Sequence, residues 1–433
     1  MNEAAEVLLW GTCIGFLSHS GDAPFAEFSY DRDFIGAGIE PSPLMMRVSS
    51  ARQSFPNLPW RSFHGLPGML ADSLPDKFGN AVLDQWLKAQ GRLPESLSPI
   101  ERLCYTGSRG MGALEYRPAL FADGDEAESV KVDALAKLAG EVLRSRQEVH
   151  ATLAPDLKHF APILKVGSSA GGARAKALIG WNEATGEVRS GQTRLPENYG
   201  YWLLKFDGLD GNGDKEGSDR SGYGRVEYAY HLMARAAGIE MAECRLWDNR
   251  HFMTRRFDRL PGGGKLHMQS LAAIAHFDFN DPTAYSYEEA FRVARALTAD
   301  MRDQEQLFRR MCFNVLAWNC DDHVKNVAFL MDRAGDWSLA PAFDMTYAYN
   351  PEGAWTGAHQ MSVNGKRRAI VDADLLEAAR AAGLKPRRAR AALDDVRSAV
   401  ADWPRFATEA AVRDDFASEI SRQLATSAHQ PHT

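Results

Sequence analysis

Eight consecutive residues, Asn319-Cys320-Asp321-Asp322-His323-Val324-Lys325-Asn326, gather carboxylates, an imidazole, an ammonium and amides in one short stretch. An Asp followed five positions later by Asn, in a loop between a helix and a strand, can aim one carboxylate at a hydroxyl while the amide oxygen holds a metal ion. In outline this is a phosphotransferase catalytic loop, with Asp321 as the carboxylate aimed at the hydroxyl. Lys325 adds positive charge where a moved phosphoryl group develops negative charge. Eighteen residues beyond Asn326, Asp344 follows a second strand-like segment, Trp337 to Leu339. A β-hairpin joining the two segments brings Asp344 back beside Asn326, and oxygen donors of this kind suit Mg²⁺ together with ATP phosphates. Singly these residues are weak signals, because Asp-x₄-Asn arises by chance and an Asp after a strand is most often a turn residue or helix cap. Their order and spacing carry the reading.

Further upstream, Gly167 to Lys176 is rich in Gly and Ser and lies between two strand-like runs. The backbone N–H groups around Ser169, Gly171 and Gly172 can approach phosphates closely, with Lys176 closing the loop; a plain hairpin loop is the alternative. Lys205 interrupts the apolar run Tyr201 to Phe206, so its ammonium either reaches solvent or meets an anion. Glu227 falls near the start of the next helix, where it could pair with Lys205 or stabilise the helix dipole. The segment Met253 to Arg259 is a candidate link for adenine through Arg255 and Phe257, or else a row of surface salt bridges. A metal-dependent hydrolase using Asp321, Asp322 and His323 is disfavoured, because adjacent side chains diverge and rarely share an ion. His323 is read as bracing the loop beside the nucleotide.

The elements that must hold these groups change in texture along the chain. The first 120 or so residues are rich in Gly and Pro and read as a small, mostly β region, with strand-like pieces at Val7 to Leu17 and Phe25 to Tyr30 and a helix near Gly79 to Leu87. Apolar residues at helical spacing predict an amphipathic helix over Glu126 to Arg146. Strands follow at Ile163 to Val166, Lys176 to Trp181 and Tyr201 to Phe206, with a turn at Ala184 to Glu187. Helices are expected from Gly224 to Ala237, through Leu307 to Asn319, and at Asp372 to Ala382 and Arg387 to Val400. Sheet first and helices after is an α+β order. With 433 residues the chain exceeds one usual hydrophobic core, so two domains are expected. A net charge of −7 speaks against direct wrapping of nucleic acid, and the basic clusters at Lys366 to Arg368 and Lys385 to Arg390 read as solvated faces. Five scattered cysteines without a Cys-x-x-Cys pair argue against disulfides and structural zinc. No apolar window is long enough for a membrane helix, and the N-terminus lacks a basic leader, so a cytoplasmic location is expected.

Two longer stretches, Gly65-Leu66-Pro67-Gly68-Met69-Leu70-Ala71-Asp72-Ser73-Leu74-Pro75-Asp76-Lys77-Phe78-Gly79 and Tyr105-Thr106-Gly107-Ser108-Arg109-Gly110-Met111-Gly112-Ala113-Leu114, carry no obvious chemistry. With the catalytic-loop residues, they resemble the HipA family of serine/threonine kinases, the toxin halves of bacterial toxin–antitoxin pairs. The resemblance implies a bilobal protein-kinase-like core, with a HipA-like N-terminal subdomain over 1–120, an N-lobe over 121–260, a helical C-lobe over 261–424 and a tail over 425–433. It implies Asp321 as base, Asn326 and Asp344 as Mg²⁺ ligands and Lys205 as the lysine that contacts ATP phosphates. Ser169 matches a serine that such kinases can phosphorylate on themselves. The implied partners are a HipB-like helix-turn-helix antitoxin, operator DNA through that antitoxin, and an aminoacyl-tRNA synthetase as protein substrate. Arg255 departs from the acidic or neutral residue expected at the adenine link. An aminoglycoside-type phosphotransferase shares the Asp-x₄-Asn spacing, but the two N-terminal stretches oppose it. A kinase-fold binding module is opposed by the presence of Lys205, Asp321, Asn326 and Asp344.

Overall fold

The computed structural model describes residues 4–19, 23–120, 129–147, 174–209 and 221–428. Its N-terminal part is an antiparallel sheet of β1 (Ala4–Leu9), β2 (Thr12–His19), β3 (Ala26–Tyr30) and β4 (Leu114–Arg117), in the order β3-β2-β1-β4. Trp10 and Gly11 both adopt positive φ, so the run expected as one strand from Val7 to Leu17 folds back as a hairpin instead. Val7, Leu9, Ile14, Leu17 and Phe28 turn one face of this sheet onto Met69, Leu70, Ile100 and Leu103. The helix Lys77–Ala89 extends two residues beyond its expected range at each end. Asp76 starts it, its carboxylate accepting the Gly79 amide at 2.6 Å.

A second antiparallel sheet runs β6-β5-β7-β9-β8, from β5 (Lys176–Trp181), β6 (Val188–Ser190), β7 (Gly200–Lys205), β8 (Cys244–Trp247) and β9 (His251–Arg255). Ala177, Ile179, Trp202 and Leu204 alternate onto one face and bury Leu135, Ala139 and Val142 of the helix Val132–Gln147. The expected strand Ile163 to Val166 lies outside the described residues. A third sheet, β10 (His267–Ser270), β11 (Ala328–Met331) and β12 (Trp337–Leu339), contains the expected hairpin, with Phe329 opposite Leu339. The rest is largely helical: Tyr223–Ala236, Tyr287–Thr298, Met301–Leu316, Asp372–Ala381, Pro386–Ala401, Trp403–Glu409 and Asp414–Ala428. The helix Met301–Leu316 stops short of Asn319 because Trp318 turns left-handed, at φ 54°. Tyr230 packs edge-on against Phe313 and Trp403, with ring centroids 5.9 and 5.4 Å away. Burying each such ring contributes about 1.5–3 kcal/mol. The fold is thus a mixture of helices and several antiparallel sheets, and no described helix is long and apolar enough to cross a membrane.

The N-terminal part is fastened to the remainder by the two stretches that carried no obvious chemistry. A Cβ on Gly68 would lie 2.3 Å from the Ala273 carbonyl oxygen, and one on Gly112, at φ +74°, would lie 2.9 Å from the Met268 nitrogen. Only glycine admits so close an approach. Arg256 and Arg259 each reach Asp258 at 2.7 Å, and the Gly112 amide donates to the same carboxylate at 2.7 Å. Both guanidiniums also donate to the Gly110 carbonyl, at 3.2 and 2.9 Å. Asp258 is fully buried. Burial alone would raise its pKa, yet the two arginines hold it well below the usual carboxylate range. The charges after β9 are therefore an internal junction rather than the surface salt bridges considered above.

Candidate active site

Lys205 ends β7 opposite Lys176 of β5 and Phe252 of β9. Its ammonium donates to Glu227 Oε1 at 2.6 Å and to Asp344 Oδ1. Glu227 is buried in the helix Tyr223–Ala236, only 3 % exposed. Burial pushes the Lys205 ammonium down, but the two carboxylates outweigh it and raise the pKa above its ordinary value. Asp344 shows the mirror image: burial raises its pKa, and Lys205, with Lys176 and His323 nearby, brings it below the ordinary value. Of the two roles open to Glu227, the carboxylate is spent on the lysine rather than on the helix end. Asp344 sits at φ 52°, a strained backbone for a residue with a side chain. Three elements thus converge on one ammonium.

The loop between the helix Met301–Leu316 and β11 closes on itself. The Asn326 side-chain amide donates to the Asp321 carbonyl at 2.8 Å, and the Asn326 backbone amide to the His323 carbonyl at 2.8 Å. His323 Nδ1 accepts the Lys325 amide at 3.2 Å while Nε2 lies 3.8 Å from Asp321 Oδ1, so the ring does brace the loop. The stronger brace was not foreseen. Asp322 is 1 % exposed and accepts from the Tyr287 hydroxyl at 2.9 Å and the Gln360 amide at 2.7 Å. His359 Nδ1 lies 3.1 Å from the same carboxylate. Burial would lower the His359 pKa, but the charge of Asp322 raises it to about 10, making the contact a buried ion pair. Adjacent carboxylates must point apart, which gave a hint that one of Asp321 and Asp322 is internal; nothing in the spacing pointed to His359 or Tyr287.

The other candidates divide. Lys176, expected both to close the phosphate loop and to open a strand, is the first residue of β5; it is 1 % exposed and bound to Asp76 Oδ2 at 2.7 Å. Arg255 ends β9 exposed, 3.4 Å from Glu243, while Phe257 meets Phe343, the neighbour of Asp344, with ring centroids 5.7 Å apart. Lys325 lies 3.7 Å from Asp72 and 4.6 Å from the centre of the Phe279 ring. Ser169, Gly171 and Gly172 lie outside the described residues. Asp72 and Asp76 were missed; two carboxylates four apart in an otherwise apolar stretch were the available signal. Among the described residues no group of three or more His, Cys, Asp or Glu is arranged to hold a metal ion. The oxygen donors of Asn326 and Asp344 nevertheless suit Mg²⁺, which typically takes one or two protein ligands and completes its shell with phosphates and water.

Comparison with known proteins follows this division of the chain. The profile of the HipA N-terminal domain matches residues 5–117, and that of the HipA-like C-terminal domain matches residues 168–403. Among solved structures, HipA of Shewanella oneidensis MR-1, in complex with HipB and its operator DNA, covers 98% of this chain and 97% of its own at 17% identity and a TM-score of 0.67. The proinflammatory kinase CtkA of Helicobacter pylori covers 54% of this chain and 88% of its own at 13% identity, with a TM-score of 0.36. Curated proteins give no match. The two profiles span the two parts joined at the Asp258 junction, so the chain belongs to the HipA family.

Proposed function

We propose that this protein is a kinase that transfers the γ-phosphoryl group of ATP to a serine or threonine hydroxyl of another protein, with Mg²⁺, and acts as the toxin of a toxin–antitoxin pair. The observation that carries the reading is the three-way contact of Lys205 with Glu227 and Asp344. A lysine steadied by a helix glutamate beside an aspartate that can serve a cation is the arrangement protein kinases need around nucleotide phosphates. In this reading Asp321 orients the acceptor hydroxyl and takes its proton. Lys205 and Lys325 face the phosphate charge, and Asn326 and Asp344 offer oxygens to the cation. Bound there, Mg²⁺ would neutralise charge on the phosphates. The Asp322–His359 pair fixes the loop from behind, so Asp321 need not reorganise during transfer.

Family membership supports a HipB-like antitoxin partner that carries the toxin to operator DNA, as in the Shewanella complex. An aminoacyl-tRNA synthetase is the proposed protein substrate, and the cytoplasm the proposed location. Ser169 is the proposed site of self-phosphorylation, where phosphate would add roughly −1.5 to −2 charge and switch the kinase off.

Intact-protein mass after incubation of phosphatase-treated protein with Mg·ATP tests the reading. Wild type should gain phosphate and Asp321→Asn should lose the gain by about 10²-fold or more in rate. Peptide mapping of wild type and Ser169→Ala locates the modified residue. Absence of both phosphate gain and ADP formation in wild type would overturn the kinase reading.

A further inference from the structure

Lys325 is the least committed cation of the catalytic loop. Its ammonium lies 3.7 Å from Asp72 Oδ1, beyond hydrogen-bond reach, and 4.6 Å from the Phe279 ring centre. Among the described residues it donates no hydrogen bond, so a carboxylate and a ring face steer it while its three N–H groups stay available to an anion. The steering carboxylate is fixed to the same frame as the loop. Asp72 accepts from the Ser270 amide at 2.7 Å and the Ser270 hydroxyl at 2.9 Å. The next two residues donate into the catalytic loop, Leu271 to the Val327 carbonyl at 2.7 Å and Ala272 to the Val324 carbonyl at 3.1 Å. Those carbonyls flank Lys325. Asp72 is thus referenced through three residues of backbone to both sides of the lysine it faces, although it belongs to the N-terminal part of the chain.

We propose that Asp72 is a positioning residue for phosphoryl transfer: the N-terminal part of the molecule completes the active site by holding the Lys325 ammonium where the moving phosphoryl group passes. The Asp76–Lys176 pair differs in kind. Its members touch at 2.7 Å and are almost wholly buried, so that lysine is spent on structure. A carboxylate that only orients leaves its cation usable, whereas one that binds it consumes it.

This inference rests on the kinase reading, and a double-mutant cycle on the full chain separates the two. Phosphate uptake from Mg·ATP and ADP formation are measured for wild type, Asp72→Asn, Lys325→Met and the double variant, with KM for ATP and a melting curve for each. Asp72→Asn should lower kcat by roughly tenfold with little change in KM for ATP, and should cost almost nothing further once Lys325 is Met, as expected for coupled neighbours. The same loss in both backgrounds would mean that Asp72 acts only through Ser270 and the fold, and the proposal falls while the kinase reading stands. If wild type makes no ADP and takes up no phosphate, both fall. Should Lys325→Met be too slow to read, Asp72→Glu decides: recovery of kcat relative to Asp72→Asn at an equal melting temperature supports positioning, and equal loss in the two overturns it.

Discussion

At Lys205 the interaction that would serve nucleotide phosphates also stabilises the resting protein. Replacing it with Met removes the only cation the structure sets between Glu227 and Asp344 among the described residues, leaving Glu227 buried without compensation. Lys205→Met should therefore abolish transfer and also lower unfolding free energy by about 3 kcal/mol, the scale for breaking one side of a buried pair, as denaturant melts can show. His359 gives a pH signature of opposite origin. Its folded pKa, near 10, lies above that of an unfolded histidine, near 6.5, so its contribution is complete below about pH 6.5 and is lost as pH rises toward 10. Stability should fall across that window with a slope of up to about 1.4 kcal/mol per pH unit, and His359→Gln should flatten it. Legibility in the sequence followed the same contrast. Lys205 stood out because an ammonium in an apolar strand must either reach solvent or meet an anion, and the structure shows the second. His359 did not, because its partner lies 37 positions away and is masked by a neighbour of the same type.

Among the elements, periodicity located β5, β7, β11, β12 and the helices Lys77–Ala89, Val132–Gln147, Tyr223–Ala236, Met301–Leu316, Asp372–Ala381 and Pro386–Ala401, since burial of one face leaves a pattern in the chain. It passed over β4, β6, β8, β10 and the helices Pro99–Thr106, Tyr287–Thr298, Trp403–Glu409 and Asp414–Ala428. What it did not supply was the turn at Trp10 and Gly11, where the apolar run continues through a reversal, or the end of the helix at Leu316, set by the left-handed Trp318. Nor could it show that Arg256, Asp258 and Arg259 are internal. Charged residues in a row read as a surface, and only tertiary contact with Gly110 and Gly112 reveals otherwise. That junction sets a large expectation. Asp258→Ala leaves two buried guanidiniums without their carboxylate and should cost about 3–5 kcal/mol. Chemical denaturation of the variant checks it; a loss below about 1 kcal/mol would mean that solvent reaches the site.

Across the whole molecule, the N-terminal sheet and the remainder share buried charges and close backbone contact at Gly68 and Gly112. Far-UV circular dichroism and tryptophan fluorescence should therefore report one coincident unfolding transition. Gly112→Ala, forced into a left-handed backbone against Met268, should destabilise by about 1–3 kcal/mol. Two separated transitions in wild type would show that the parts hold together less firmly than their contacts indicate. The mixture of sheets and helices was legible in the change from Gly- and Pro-rich strands to helical periods, but the N-terminal part is not the largely β region expected, since its four strands are joined by helices at Trp60–Phe63, Gly68–Ala71, Lys77–Ala89 and Pro99–Thr106. The docking of the two parts was not, because its contacts join residues far apart in sequence, 146 positions for Gly112 to Asp258 and 255 for Trp10 to Lys265.

The Asp258 junction also bears on how such a chain can be divided. Cutting it between the two family matches would give a longer fragment in which Arg256 and Arg259 lose the Gly110 carbonyl, Asp258 loses the Gly112 amide, Lys176 loses Asp76, and a groove shaped for glycine backbone lies open. Such a fragment would be sticky and dependent on its lost companion, so the modules that sequence comparison separates make one physical unit, to be produced together or reassembled from halves.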